Sequence, residues 1–176
     1  MSKFDLDTLK MGYIIRYKND GSMFGNAIQN KQIAEGFSLD DSQYIHVEVS
    51  GGGPDSVNIS FPKAKDIDIR KAHKGREIQI LKYDNPDFLI YNKRYKIAYF
   101  NARLCNKGYD VGGIFSFIFK WIKQSNRNYF CSEGCAWSFQ KVFPDIFGDK
   151  TADKIYPASF NTKYKFVEVC KCRIPE

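Results

Sequence analysis

Residues 43–61 read Gln43-Tyr44-Ile45-His46-Val47-Glu48-Val49, then Ser50-Gly51-Gly52-Gly53-Pro54-Asp55, then Ser56-Val57-Asn58-Ile59-Ser60-Phe61. The first piece alternates. In an extended chain this sends Tyr44, His46 and Glu48 to one side and Ile45, Val47 and Val49 to the other. The glycine-rich segment with Pro54 and Asp55 is a turn signal. The alternating piece beyond it reads as the partner strand of a hairpin, ended by Pro62. Shorter β-rich runs at 12–17, 66–69 and 77–82 predict further strands around this hairpin.

Downstream the period changes. Over 92–107, Ile97, Phe100, Ala102 and Leu104 roughly follow one helical face, and Gly108 is a fitting stop. Residues 111–122 predict a second, mostly buried helix. Cys131, Cys135, Phe139 and Phe143 recur at steps of four, which stacks them on one side of a third helix that Pro144 closes. Residues 163–170 alternate again as a last strand. Strands first, helices next and a closing strand predict an α+β fold, with residues 1–176 forming one domain.

The chain carries a formal net charge of +7. That favours acidic surfaces such as nucleic acid, anionic lipid or an acidic polymer, without choosing among them; a lysine-rich solvated surface is the plainer reading. Met1 to Lys10 holds no apolar signal core, and no stretch approaches the ~20 apolar residues of a membrane span. The greasiest run, 113–119, is broken by Lys120 and reads as a buried helix, with a lipid-facing surface as the alternative. These features predict no transmembrane segment and a cytoplasmic location. Five cysteines, an odd number, fit a reducing compartment better than a disulfide framework. Cys131-x-x-x-Cys135 and Cys170-x-Cys172 are not paired zinc knuckles, and there are only two histidines, so neither metal nor organic cofactor is expected.

Cys131 sits in Asn-Tyr-Phe-Cys-Ser-Glu-Gly-Cys, where an aromatic β-like run meets a helix start. A thiol there feels the positive end of the helix dipole, which favours the nucleophilic thiolate. The first-turn N–H groups lie where an oxyanion would develop. A buried structural cysteine is the default for any single cysteine, and it explains Cys135 better than Cys131. A catalytic thiol needs a base. His73 lies in Arg-Lys-Ala-His-Lys-Gly-Arg, a cationic loop that suits a solvated ring. His46, mid-strand, has the rigid platform a catalytic group needs, although a lone histidine is more often merely hydrogen-bonded. Across the glycine turn, Asn58 can accept a hydrogen bond from an imidazole and so orient it. Ser60 shares its face as a weaker candidate. Spacing alone does not separate these roles from a polar residue on the hairpin's exposed side.

The order of these pieces resembles a known family. A strand with His46-Val47-Glu48-Val49 is followed by a Gly-rich turn, then Val57-Asn58-Ile59-Ser60-Phe61-Pro62-Lys63. Later come Gly108-Tyr109-Asp110, Tyr129-Phe130-Cys131-Ser132-Glu133 and Tyr156-Pro157-Ala158-Ser159-Phe160. This is similar to the YiiX-like branch of the NlpC superfamily, the circularly permuted papain-fold amidases and peptidases. The resemblance spans most of the chain. It implies a permuted papain-like fold, an antiparallel sheet packed against helices, with the histidine preceding the cysteine. It implies a Cys131–His46–Asn58 triad and a thioester intermediate on peptide-type amides, cell-wall peptides included. Lecithin–retinol acyltransferase-like relatives, with the same order, make lipid acyl esters the alternative. Two departures stand out: Gly12-Tyr13 replaces the frequent Gly-Asp, and Asn58 replaces a third residue that is often acidic. The expected partner is therefore a peptide or acyl-bearing substrate. Lys93, Arg94 and Lys96 interleave with Tyr95 and Tyr99, which would suit single-stranded nucleic acid. No nucleic-acid motif accompanies them, and a helix with solvated lysines and a tyrosine-packed face is expected there instead. An unreactive partner-binding domain is a third reading.

Overall fold

A computed structural model describes residues 4–109 and 129–176. It shows an α+β fold built on one six-stranded antiparallel sheet. The strands are β1 (Ile14–Lys18), β2 (Tyr44–Gly52), β3 (Asp55–Asn58), β4 (Lys65–Asp68), β5 (Glu77–Tyr83) and β6 (Phe166–Arg173), in the spatial order β4-β3-β2-β1-β5-β6. The expected hairpin is present: Val49 pairs with Val57 and Ser50 with Ser56. Gly52 and Gly53 turn the chain at φ 108° and 56°, a region that side chains with a Cβ rarely enter.

The alternation along β2 is interrupted. Tyr17 pairs with His46 but Lys18 with Tyr44, so Ile45 is an extra residue on β2. Such a bulge re-aims the side chains around it. His46 and Glu48 stay together beside Tyr17. Tyr44 instead lies under Arg16, whose guanidinium is 4.3 Å from the ring centroid. Tyr44 therefore does not share the functional face that simple alternation gives it.

Five α-helices accompany the sheet among the described residues: α1 (Met23–Ala34), α2 (Leu39–Ser42), α3 (Ile69–Ala72), α4 (Tyr91–Ala102) and α5 (Cys131–Gln140). The helix expected over 111–122 lies outside the described residues. α1 carries no apolar stripe; only Gly25, Ile28 and Gln32 are buried on it. Ser22 caps its start, accepting from the Gly25 N–H at 3.0 Å. Gln32 anchors it: its amide donates to Ser42 O at 2.9 Å and Tyr44 O at 3.0 Å and accepts from the Ala158 N–H at 2.8 Å. A fully buried glutamine satisfied at both ends docks the helix by polar contacts where apolar area is lacking.

The main core lies between the sheet and α5. Phe139 is fully buried, with Tyr83, Phe88, Phe160 and Phe166 ring centroids all within 6.5 Å of its own. Each such side chain contributes roughly 1.5–3 kcal/mol by leaving water. Helix α4 buries Ile97 and Asn101. Its tyrosines do not pack inward: Tyr91, Tyr95 and Tyr99 are exposed and tile along the surface, with centroids 6.3 and 6.2 Å apart. No helix among the described residues is long and apolar enough to cross a membrane.

Candidate active site

Cys131 is the first residue of α5, and the helix is held at several points along its length. At its start the Glu133 carboxylate accepts from the Phe130 N–H at 3.4 Å, one half of a capping box. Ser132 Oγ donates to Ile155 O at 2.6 Å. One turn on, the fully buried Cys135 thiol donates to Val47 O on β2 at 3.6 Å, and burial pushes its pKa well above the ordinary thiol value. Asn101 of α4 donates to Ser138 Oγ at 3.1 Å. Gly134 lets the helix approach the hairpin closely: a methyl there would overlap Ile59 Cδ1 and lie 2.9 Å from Leu104 Cδ1. These contacts aim the N-terminus of α5 at β2, where the thiol of Cys131 lies against the ring of His46. At the first helical position the Cys131 N–H has no i→i−4 partner within its own helix.

His46 is bound on its other side. Its Nε2 lies 3.1 Å from Glu48 Oε1, so Nδ1 is the ring nitrogen left for the sulfur. Burial alone would lower the pKa of the imidazole. The charge at Cys131, the bond to that sulfur and then Glu48 overturn this and raise it to about 10. Glu48 has no solvent exposure, and burial alone would raise its pKa; its hydrogen bonds and charge pairing with His46 and His73 hold it well below the ordinary carboxylate range instead. Its second oxygen accepts from Tyr17 Oη at 2.8 Å and from Ser56 Oγ. A buried carboxylate persists only when its lone pairs are taken up in this way.

Of the expected triad, the structure brings Cys131 and His46 together and leaves Asn58 off the imidazole. Asn58 sits on β3 as the hairpin predicts, and it is 8% exposed. Its Nδ2 faces His73 Nε2 at 3.5 Å, and its Oδ1 has no hydrogen-bond partner among the described residues. Ser60 lines the same cavity and is not bonded to His46 among the described residues. The group that orients His46 is Glu48, two residues along the same strand, because its carboxylate is already on that face while Asn58 is one strand away.

His73 also departs from expectation. It caps α3, its side chain is 14% exposed, and its Nε2 lies 2.9 Å from Glu48 Oε1. Two of its basic neighbours are paired with carboxylates, Arg70 with Asp68 and Asp7, and Arg76 with Asp20. His46, His73 and Cys131 line a cavity of about 220 Å³. Phe24 and Ile28 of α1 and the bulged Ile45 give it apolar lining, while Asn58, Ser60 and Arg76 give it polar lining. In comparisons with known proteins, no family model matches the chain and no curated protein matches it.

Proposed function

We propose that the protein is a cysteine hydrolase in which Cys131 is the nucleophile, His46 the acid–base and Glu48 the residue that orients His46. One observation carries the reading: a thiol at a helix N-terminus lies against an imidazole whose far nitrogen is bound to a fully buried carboxylate. Nucleophile, base and orienter in series are the recurring arrangement of covalent acyl transfer.

In this reading the thiolate attacks an amide or ester carbonyl. The Cys131 N–H stabilises the oxyanion at the α5 N-terminus. The imidazolium of His46 protonates the leaving amine or alcohol and becomes neutral. It then takes a proton from the water that attacks the thioester, freeing the acid product and the thiol. The negative charge of Glu48 favours the imidazolium more than the neutral amide of Asn58 would. We infer also that the sheet and α5 form the permuted papain-like arrangement, with the histidine strand ahead of the cysteine helix in the chain.

The resemblance supports a peptide-type amide as substrate. The apolar lining from Phe24, Ile28 and Ile45 favours, as a second reading, an ester with a short acyl chain. A panel of wall peptides, simple peptides and acyl esters, read by mass spectrometry, decides between them. Turnover of at least one class is expected, and its loss in Cys131→Ala. Turnover that survives Cys131→Ala overturns the proposal.

A further inference from the structure

We propose that His46, Glu48 and His73 together form a binding site for a divalent transition ion of the zinc class. The three side chains come from two parts of the chain: His46 and Glu48 from β2, His73 from the end of α3. All three bring one ligand atom to a common point, with the atoms within 4.8 Å of one another. Two imidazoles and one carboxylate are a donor set that zinc takes in open, three-ligand sites.

The distances are close to those an ion needs. Around a tetrahedral zinc with bonds of about 2.0–2.1 Å, neighbouring ligand atoms lie about 3.3–3.4 Å apart. Two of the three edges are already near that length: His46 Nε2 to Glu48 Oε1 at 3.1 Å and His73 Nε2 to the same oxygen at 2.9 Å. Only the edge between the two histidines, whose ring centroids are 6.1 Å apart, has to close. The outer support is also in place. Tyr17 and Ser56 hold the second oxygen of Glu48, which fixes the carboxylate as hydrogen-bonded partners fix the ligands of metal sites. Both rings line the cavity, so an ion would approach from the side of the two histidines, with the buried Glu48 behind them.

The proton positions follow. A metal on Nε2 of each ring leaves the single remaining proton of each neutral imidazole on Nδ1. His73 moves its proton from Nε2 to Nδ1, and an imidazolium at His46 releases its Nε2 proton to solvent. With Nδ1 protonated, His46 has no lone pair left for the thiol proton. If the hydrolase reading holds, the ion-loaded protein is therefore an inactive form; binding itself does not rest on that reading.

The chain has only two histidines, so long-range proton–nitrogen NMR of the rings shows just two spin systems. Zinc chloride titrated into the wild-type chain and into Cys131→Ala is expected to convert both rings to the Nδ1–H form with a metal-bound Nε2, at one equivalent. Calorimetry is expected to show that His73→Gln binds this equivalent at least tenfold more weakly. The proposal is overturned if either ring is unaffected by that equivalent. It is also overturned if Cys131→Ala no longer binds, which would make the site thiolate-based. Because the Cys131→Ala titration needs no activity, a failed hydrolase assay and a failed metal site give separate results.

Discussion

Glu48 lies two residues beyond His46 on β2, and its Oε1 sits 3.1 Å from the Nε2 of that ring. The carboxylate is fully buried, while the imidazole keeps one side on the cavity. A buried negative charge held against the far nitrogen fixes both the tilt of the ring and the nitrogen it presents to Cys131. On the proposed reading, this pair is what would make the Cys131 thiol reactive rather than merely adjacent to a histidine.

Replacing the charge and keeping the shape tests that role. Glu48→Gln retains the volume, but its amide stabilises the imidazolium less. Turnover by this variant is expected to fall by roughly 10²-fold, the lower end of what positioned acid–base catalysis supplies. Asn58→Ala is expected to cost far less, because Asn58 does not touch His46. Steady-state rates of the two variants side by side check the assignment, and the reverse ranking would restore Asn58 as the orienter.

The same carboxylate predicts an acid sensitivity. Its pKa in the folded chain lies below the ordinary value of 4.5. Ionised Glu48 therefore contributes stability that is present above about pH 4.5 and lost as pH falls toward the folded value. The melting temperature of the wild type is expected to drop more steeply below pH 4.5 than that of Glu48→Gln, so the gap between them narrows. A gap of constant width from neutral to acid pH would contradict the linkage.

At the other end of the pH scale His46 governs. It keeps its proton until about pH 10, so amide turnover, which needs that proton for the leaving amine, is expected to decline as pH passes about 10. Alkylation of the sulfur needs no such proton and is expected to continue. A parallel pH profile of turnover and of iodoacetamide reactivity checks the split; an alkaline decline centred near 6.5 would mean an unperturbed histidine.

Packing behind the nucleophile gives an independent test. Gly134→Ala puts a methyl into Ile59 Cδ1 and Leu104 Cδ1, both in the core. Overpacking of this kind costs about 1–3 kcal/mol, and relief by shifting α5 would move Cys131 away from His46. Chemical denaturation is expected to show the loss in stability, and thiol labelling a slower reaction. A variant as stable and as reactive as the wild type would show that the close approach at Gly134 is not needed.

Much of this arrangement can be read from local periodicity. The alternation of 43–49, the glycine turn and the four-residue steps from Cys131 to Phe139 predict β2, β3 and α5, and they place His46 and Cys131 on the elements they occupy. Glu48 was within reach of the same reasoning, since a two-residue step on a strand shares a face. An acid in an alternating strand ordinarily faces water, however, and nothing local shows that Tyr17, Ser56 and two histidines surround it. The position of His73 depends on which carboxylates its cationic neighbours find, which is a tertiary fact. Helix α1 left no apolar signature because Gln32 docks it, and the bulge at Ile45 is invisible to a strict period of two. The end of α5 at Gln140, four residues before Pro144, shows that the apolar repeat reached beyond the helix itself.

Everything proposed for the site rests on Cys131 acting as a nucleophile activated by His46. A thiol-reactive acyl probe, followed by intact-mass measurement and peptide mapping at neutral pH, tests it most directly. One adduct is expected on the wild type, mapped to the peptide holding Cys131, with no such adduct in Cys131→Ala and much slower formation in His46→Ala. An adduct that forms equally fast in His46→Ala, or one that Cys131→Ala retains, would contradict it.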